Sequence, residues 1–586
     1  MLGRSRRGAT RSATRSATQS VTQPSVTQPS AKQCATPSDP VWLTLAIVAI
    51  VVSCVFLLWP VASMLVASLI DATGAITISG YMRFFSEPIY RQALCNTVIL
   101  GATVTCFSML LGGGLAVILA RYTFPLAGFA SALPLLTMVI PDVIVASAWV
   151  LILGRQGIVN GWLSALGLQI PSLYGWWGLI FVMTLNHYAY AFVAVLVGLK
   201  SMDRTLEEAA SSLGRPMWRV ISGVTLPMLL PSILSGAVVV YTHVIGSFGV
   251  PAMIGARTPV LAVKAYHEFV SEMGGDAQMQ ATLASAIVFL GIAALVLQKL
   301  LVSPRHYQMA AGHASAPSCI AGWRAVVSTS SVLLLIALSV LPTMVVIVTA
   351  FTPSSGPVLH YGGFTLDHLS YVWRAGRKPL SHSVFLATVA TIIGTLFSVV
   401  AAYLIVKRRS ALSNFLEILL TLPMTIAGTA LGIALATTFN SGWLVLTGSW
   451  TILALAYFWR RMPISVRAVI GPLHNLKDAI EEASMSLGVS PIRSFFKVVV
   501  PLLGPSIAAA AVWMWVTTLS ELSATMMLYF GGMTTIPVEI FQQVDSGRLG
   551  VACAYSLLLL LTIFVPLAVQ RRAIRQASSR NRSFRM

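Results

Sequence analysis

The sequence predicts an all-α polytopic membrane protein of about 12 transmembrane helices, arranged as two parallel six-helix repeats. Three observations carry that class. The chain is 56% hydrophobic and 10% charged, whereas a soluble globular protein carries roughly 25% charged residues. Its first apolar run, Val41 to Ile70, continues for 30 residues without a charge, and about 20 suffice to cross a bilayer. Finally, the charged phrase EEAASSLGRP at Glu207–Pro216 recurs as EEASMSLGVS at Glu481–Ser490. A large soluble protein is excluded, because no water-facing fold hides apolar runs of this length.

The elements follow in chain order. Residues 1–40 contain tandem RSAT and VTQPS units with almost no large apolar side chains, which predicts a disordered basic tail. It is no signal peptide, since some 25 polar residues separate its basic part from the apolar run. A first transmembrane domain is expected over 41–301, with spans near 43–69, 94–119, 128–152, 175–199, 232–254 and 282–301. The polar stretch 302–324 reads as a linker. A second domain over 325–570 follows, with spans near 326–350, 382–406, 414–436, 449–473, 506–528 and 550–569, then a basic tail over 571–586.

Charge sets the orientation. With the N-terminus inside, the arginines of the tail (Arg4, Arg6, Arg7, Arg11, Arg15), Arg121, Lys200, Arg204, Arg215, Arg219, Arg305, Lys407, Arg408, Arg409, Arg493, Lys497 and the run from Arg571 all fall on the cytoplasmic side. The opposite side receives chiefly Arg83, Arg91, Arg155, Arg257, Lys264, Arg374, Arg377, Lys378 and Arg548. That is the positive-inside bias, and it places both termini in the cytoplasm. The formal charge of +20 therefore reads as anchoring against anionic membrane lipid. A nucleic-acid partner is not expected, since no soluble basic patch with interleaved aromatics exists. The six cysteines form no metal-binding or disulfide spacing.

An offset of 274 carries Glu207 to Glu481, Glu208 to Glu482, Ala209 to Ala483, Leu213 to Leu487, Gly214 to Gly488, Arg219 to Arg493, Pro227 to Pro501 and Pro231 to Pro505. Each half holds an even number of spans, so both enter from the same side and the duplication is parallel. Each charged copy lies between the fourth and fifth spans of its half. The glutamates sit near a helix start, where exposed N–H groups and the helix dipole favour negative charge. Gly214 suits a break, and Pro216 opens the next helix. Two equal protrusions imply a partner with two equal sockets.

These residues resemble the permease subunits of bacterial ATP-binding-cassette importers, in the fused branch with two transmembrane domains in one chain. The family signature is Glu-Ala-Ala, a glycine a few residues on, and a later Leu-Pro. Here it stands as Glu208-Ala209-Ala210, Gly214 and Leu226-Pro227, and again as Glu482-Ala483-Ser484, Gly488 and Val500-Pro501. Ser484 and Val500 are the departures, both small. The resemblance covers roughly residues 43–570 and implies a type I importer permease fold. It also implies that Glu207, Glu208, Ala209 and Gly214 meet one cytoplasmic ATPase subunit, and Glu481, Glu482, Ala483 and Gly488 a second. An external solute-binding protein would deliver the cargo, and the setting would be the bacterial inner membrane. The chain itself has no GxxxxGK[ST] segment. It is expected to be no enzyme and to bind no cofactor, the ATP being used by the partner. Members of the family handle ferric iron, the first expectation for cargo; relatives handle 2-aminoethylphosphonate, polyamines or small anions.

Polar groups inside spans are costly and mark function by default. The fourth span holds Asn186 and His187; at the same offset its counterpart holds Arg460 and Arg461. The fifth holds His243 and Ser247, and the eleventh holds Glu521. Two readings of the arginines stand open. At least one faces the passage and assists an anionic or complexed cargo, or both snorkel or pair with an acid, for which Glu521 and Asp142 are the candidates. Lone His187 and His243 read as hydrogen-bonded interior histidines, and no metal site is expected. A secondary transporter would share the parallel halves without explaining the twin glutamate segments. A membrane enzyme would need convergent catalytic groups, which are missing.

Overall fold

The computed structural model describes residues 40–583, apart from 72, 124–126, 156, 169–170, 204, 257, 271–275, 303–317, 320–321, 357 and 361. The expected tail up to residue 39, most of the 302–324 linker, and Arg204, Arg257 and Arg305 lie outside the described residues. By packing the chain divides into Met1–Leu45 and Ala46–Met586. Of the first unit only the opening residues of one helix are described; everything below concerns the second.

The structure is helical throughout, with two-residue strands as the exception. Among the described residues ten helices are long and apolar enough to cross a membrane, and the bent pair Ala411–Met424 and Gly428–Thr438, 109° apart, makes an eleventh if counted as one span. The remaining expected span, 449–473, is one continuous helix, Trp450–His474. Arg460, Arg461 and Arg467 lie along it, too many charges for a plain apolar crossing. The elements used below are α1 (Pro40–Ala67), α2 (Pro88–Arg121), α3 (Asp142–Leu153), α4 (Trp176–Ser201), α5 (Thr205–Ser212), α6 (Leu226–Ile245), α7 (Ala277–Val302), α8 (Trp323–Ala350), α9 (Arg377–Lys407), α10 (Gly428–Thr438), α11 (Trp450–His474), α12 (Asp478–Ser486), α13 (Val500–Leu519) and α14 (Leu549–Ser583).

Helical periodicity decides which faces meet. Along α2, Leu100, Val104, Ser108, Gly112 and Leu115 recur every three or four residues and are buried. Ile99 and Leu110 lie on the opposite face and are exposed. In water such a face would be a liability; hydrocarbon is the solvent that accepts it. The 571–586 segment, expected as a tail, continues α14 as helix to Ser583.

Two expected spans are interrupted by an extended residue just before their second helix. The 128–152 window becomes Ala127–Thr137 and α3, separated by a break that ends at Pro141, whose backbone is extended (φ −58°, ψ 140°). A proline disfavours helical geometry in the residue before it, so the helix that ends at Thr137 does not run on through Ile140. The 414–436 window breaks at Ala427, which adopts the same geometry (φ −60°, ψ 147°) immediately before α10. Both breaks are buried in protein, the setting in which irregular backbone is tolerated at membrane depth.

The duplication is literal at the base of the next helix. Met217–Val220, a π turn at Ile221–Thr225 and α6 are matched at an offset of 274 by Pro491–Ser494, a π turn at Phe495–Val499 and α13. Pro227 and Pro501 lack the N–H that would bond four residues back, and the wider π turn absorbs the missing bond. The expected windows 232–254 and 506–528 therefore begin late: the helices start before these prolines and end at Ile245 and Leu519.

The halves interlock. Helix α3 packs against α8 and α14, while α10 packs against the end of α1 and against α7. Each half thus lends its broken helix to the first and last long helices of the other. Ser520 seals one crossing by donating from its hydroxyl to the Val139 carbonyl at 3.2 Å.

Candidate functional site

Two sites emerge, a pair of surface helices and a buried polar cluster between the halves. The surface helices are α5 and α12. Each ends in a glycine with positive φ, Gly214 at 75° and Gly488 at 83°, in open space where only the backbone conformation demands glycine. That turn lets the chain reverse into the base of α6 or α13. The outward faces carry Leu206 and Leu213, and at the same offset Ile480 and Leu487. Leu213 is 82% exposed and Leu487 85%. Glu208, Ala209, Glu482 and Ala483 are exposed beside them.

The first glutamate of each pair turns the other way. Arg121, the last residue of α2, donates from Nη2 to Glu207 Oε1 at 2.6 Å, with both side chains about nine-tenths buried. The Thr225 hydroxyl, closing the π turn, donates to the same oxygen. In the second copy the Tyr403 hydroxyl donates to Glu481 Oε1. Lys407, the last residue of α9, donates to the Leu476 carbonyl at 2.7 Å and to the Asp478 carboxylate. Of the eight residues expected on this surface, Glu207 and Glu481 are therefore buried among the chain's own groups, because their helices lie flat against the bundle on that face.

The polar cluster gathers the residues singled out inside the spans. Arg461 Nη2 donates to Glu521 Oε2 at 2.6 Å and to the Thr517 carbonyl at 2.7 Å. Arg460 donates from Nη1 to the Ile426 carbonyl at 2.8 Å, and its Nε lies 3.6 Å from Glu521 Oε2. Glu521 Oε1 accepts from the Ala524 N–H at 3.3 Å. Asp142, the other candidate partner, is instead bonded by Asn186 Nδ2 at 2.7 Å and by the Ser247 hydroxyl at 3.4 Å.

These contacts share a hidden correspondence. Asn186 and His187 match Arg460 and Arg461, and Ser247 matches Glu521, all at 274. In the first half the acid is Asp142, the opening residue of α3, and the residue at 247 serves it. In the second half the acid has moved to 521, and the opening residue of α10 is Gly428. A Cβ there would come within 3.1 Å of Glu521 Oε1 and 2.9 Å of Ser523 Cβ, so glycine makes the room that Glu521 occupies.

His187 and His243 each donate from Nδ1 to the carbonyl four residues back, Met183 at 2.8 Å and Val239 at 2.9 Å. The His243 ring lies 4.7 Å from Tyr190 and 6.3 Å from His187. Arg460 and Arg461 lie within electrostatic reach of both His243 and Tyr190. All seven expected passage residues thus fall in one neighbourhood at the junction of the halves. Among the described residues no group of three or more His, Cys, Asp or Glu is placed to hold a metal ion.

Sequence reasoning missed Arg121, Thr225, Tyr403 and Lys407. Arg121 and Tyr403 differ in type and lie outside the duplicated phrase, so identity matching had no signal to offer. The exposure of Leu213 and Leu487 was signalled by their repeat within an otherwise polar segment.

Comparison with known proteins places these features in context. The family described as "Binding-protein-dependent transport system inner membrane component" matches residues 112–305 and again 394–577. The chain is 23% identical over 525 residues to the ferric transport system permease protein FbpB of Actinobacillus pleuropneumoniae, covering 87% of this chain and 74% of that one. It is 24% identical to a probable ABC transporter permease protein, y4fN, of Sinorhizobium fredii, covering 91% and 96%. A putative 2-aminoethylphosphonate transport system permease protein, PhnV, of Salmonella typhimurium is 28% identical over 254 residues, 43% of this chain and 96% of that one.

Proposed function

We propose that this chain, which belongs to the family of binding-protein-dependent transport system inner membrane components, is the fused permease of an ATP-driven importer. Its two permease domains, 41–301 and 325–570, are six-helix repeats related by an axis along the membrane normal. The termini face the cytoplasm, and so do α5 and α12. The observation that carries the reading is the pair of exposed leucines, Leu213 and Leu487, each just past the end of a short helix in the same slot of its half. A large apolar side chain held in the open on a polar segment suits a socket on a partner. Two equal knobs suit two ATPase subunits, which Glu208, Gly214, Glu482 and Gly488 would flank.

Nucleotide-driven closure of the ATPase pair would move the two knobs and rock the interlocked halves about their junction. The cluster at that junction, Asn186, His187, His243, Ser247, Arg460, Arg461 and Glu521, then lines the passage. An external solute-binding protein would select the cargo. Ferric iron is the first assignment, supported by the ferric permease relative that spans most of the chain. The runner-up is 2-aminoethylphosphonate, supported by the higher identity of the phosphonate relative over 43% of the chain; polyamines or small anions follow.

Purification of the chain with its genetic neighbours tests this. Two ATPase copies per permease and ATP-dependent uptake are expected. Uptake without ATPase would point to a secondary transporter and overturn the reading. The molecule retained by the co-encoded binding protein decides between iron and phosphonate.

A further inference from the structure

The buried glutamates Glu207 and Glu481 have no part in the docking surface just described. Each is held by a residue near or at the end of a long helix: Arg121 closes α2, and Tyr403 lies one turn before the end of α9. The donor comes from the last turns of the same long helix in each half, with different chemistry and one turn apart in position. A carboxylate bonded to its own chain at nine-tenths burial is unsuited to reach a partner. It suits a joint that must not slip.

We propose that Glu207 and Glu481 are positioning residues that tether the docking helices α5 and α12 to the ends of α2 and α9. A push on a docking helix is thereby delivered to those long helices. The two tethers are unequal. Glu207 gathers a guanidinium and the Thr225 hydroxyl, so α5, α2 and the π turn below α6 move as one piece. The counterpart of Thr225 is Val499, which has no hydroxyl to give. Glu481 is held by Tyr403, and the second link runs sideways from Lys407 to Asp478 at the first position of α12. The second docking helix is thus joined to α9 at two points, and Val499 cannot repeat the bond that Thr225 makes. The proposal rests on the reading of the chain as a permease driven by ATPase subunits.

Pulsed electron-resonance distances in the full complex test it, with the six native cysteines replaced. One spin-label pair sits on the docking helices at Ser212 and Ser486; the other sits on α2 and α9 at Gly114 and Leu396, all four exposed. In the parent chain both distances are expected to change together on adding ATP and vanadate. In Glu207→Gln with Glu481→Gln the docking pair still changes, while the change between α2 and α9 falls by at least half. The exchange Arg121→Glu with Glu207→Arg restores the pairing and is expected to recover the change lost in Glu207→Gln alone. A full change between α2 and α9 in the double glutamine variant would overturn the tether. Loss of ATPase from Glu207→Gln but not from Glu208→Gln would also overturn it, making Glu207 a docking contact. A parent chain that recruits no ATPase would instead defeat the permease reading itself.

Discussion

Arg461 and Glu521 meet at 2.6 Å in the buried junction between the two halves, and Arg460 approaches the same carboxylate oxygen at 3.6 Å. Two cations thus share one acid, while the first half's Asp142 is served by neutral donors. Removing one member of a buried ion pair strands the other, at a cost of about 3–5 kcal/mol. Glu521→Gln is therefore expected to lower thermal stability sharply in detergent, and Arg461→Gln with Glu521→Gln to be less damaged than the sum of the two single variants. Strict additivity in the double-mutant cycle would show that the pair contributes no coupling.

Leu213 and Leu487 make almost no contact with their own chain. Leu213→Asp or Leu487→Asp is expected to leave the permease's unfolding temperature unchanged while reducing ATPase recovery from two copies per chain towards one. The double variant should recover none. Mass measurement of the purified complex reads the stoichiometry directly, and full retention by the double variant would remove these leucines from the docking surface.

Gly214 and Gly488 adopt a left-handed backbone that costs other residues roughly 1–2 kcal/mol. Space around both is open, so side-chain size is not the obstacle. Gly214→Val is expected to reduce ATP-dependent uptake markedly, whereas Gly214→Asn, which tolerates this conformation, should retain most of it. Equal losses in both variants would point to steric conflict with the partner.

Gly428 presents the opposite case, an ordinary backbone with no room. An added methyl group would overlap Ser523 Cβ and crowd Glu521, and overpacking of this kind costs about 1–3 kcal/mol. Gly428→Ala is expected to lower the unfolding temperature measurably. Gly114→Ala, where nothing lies within 4 Å, should not lower it.

Much of the architecture was legible because membrane crossing is a matter of composition. Val41–Ile70 can hardly be anything but a span, and its helix is present. The docking segments were legible because they occur twice, and the π turns and following helices keep the offset of 274 to the residue. The breaks before Asp142 and Gly428 were not, since an apolar window looks the same whether its helix is straight or bent. The direction of Glu207 was hidden too: adjacent glutamates on a helix point about 100° apart, and only the packing of α5 decides which one is buried.

By itself, then, the amino-acid order determined the membrane class, the duplication, the family signature and the short list of polar residues inside the spans. Each follows from local chemistry, in which the cost of a charge in hydrocarbon and the repetition of a motif are written one residue at a time. The tertiary structure alone decided that Arg461 pairs with Glu521 while Asp142 turns to Asn186 and Ser247, and that Glu207 and Glu481 face inward. It also decided that each half lends a broken helix to the other. Those outcomes depend on which surfaces pack together across hundreds of residues, and burial, unlike hydropathy, is a property of the assembled chain.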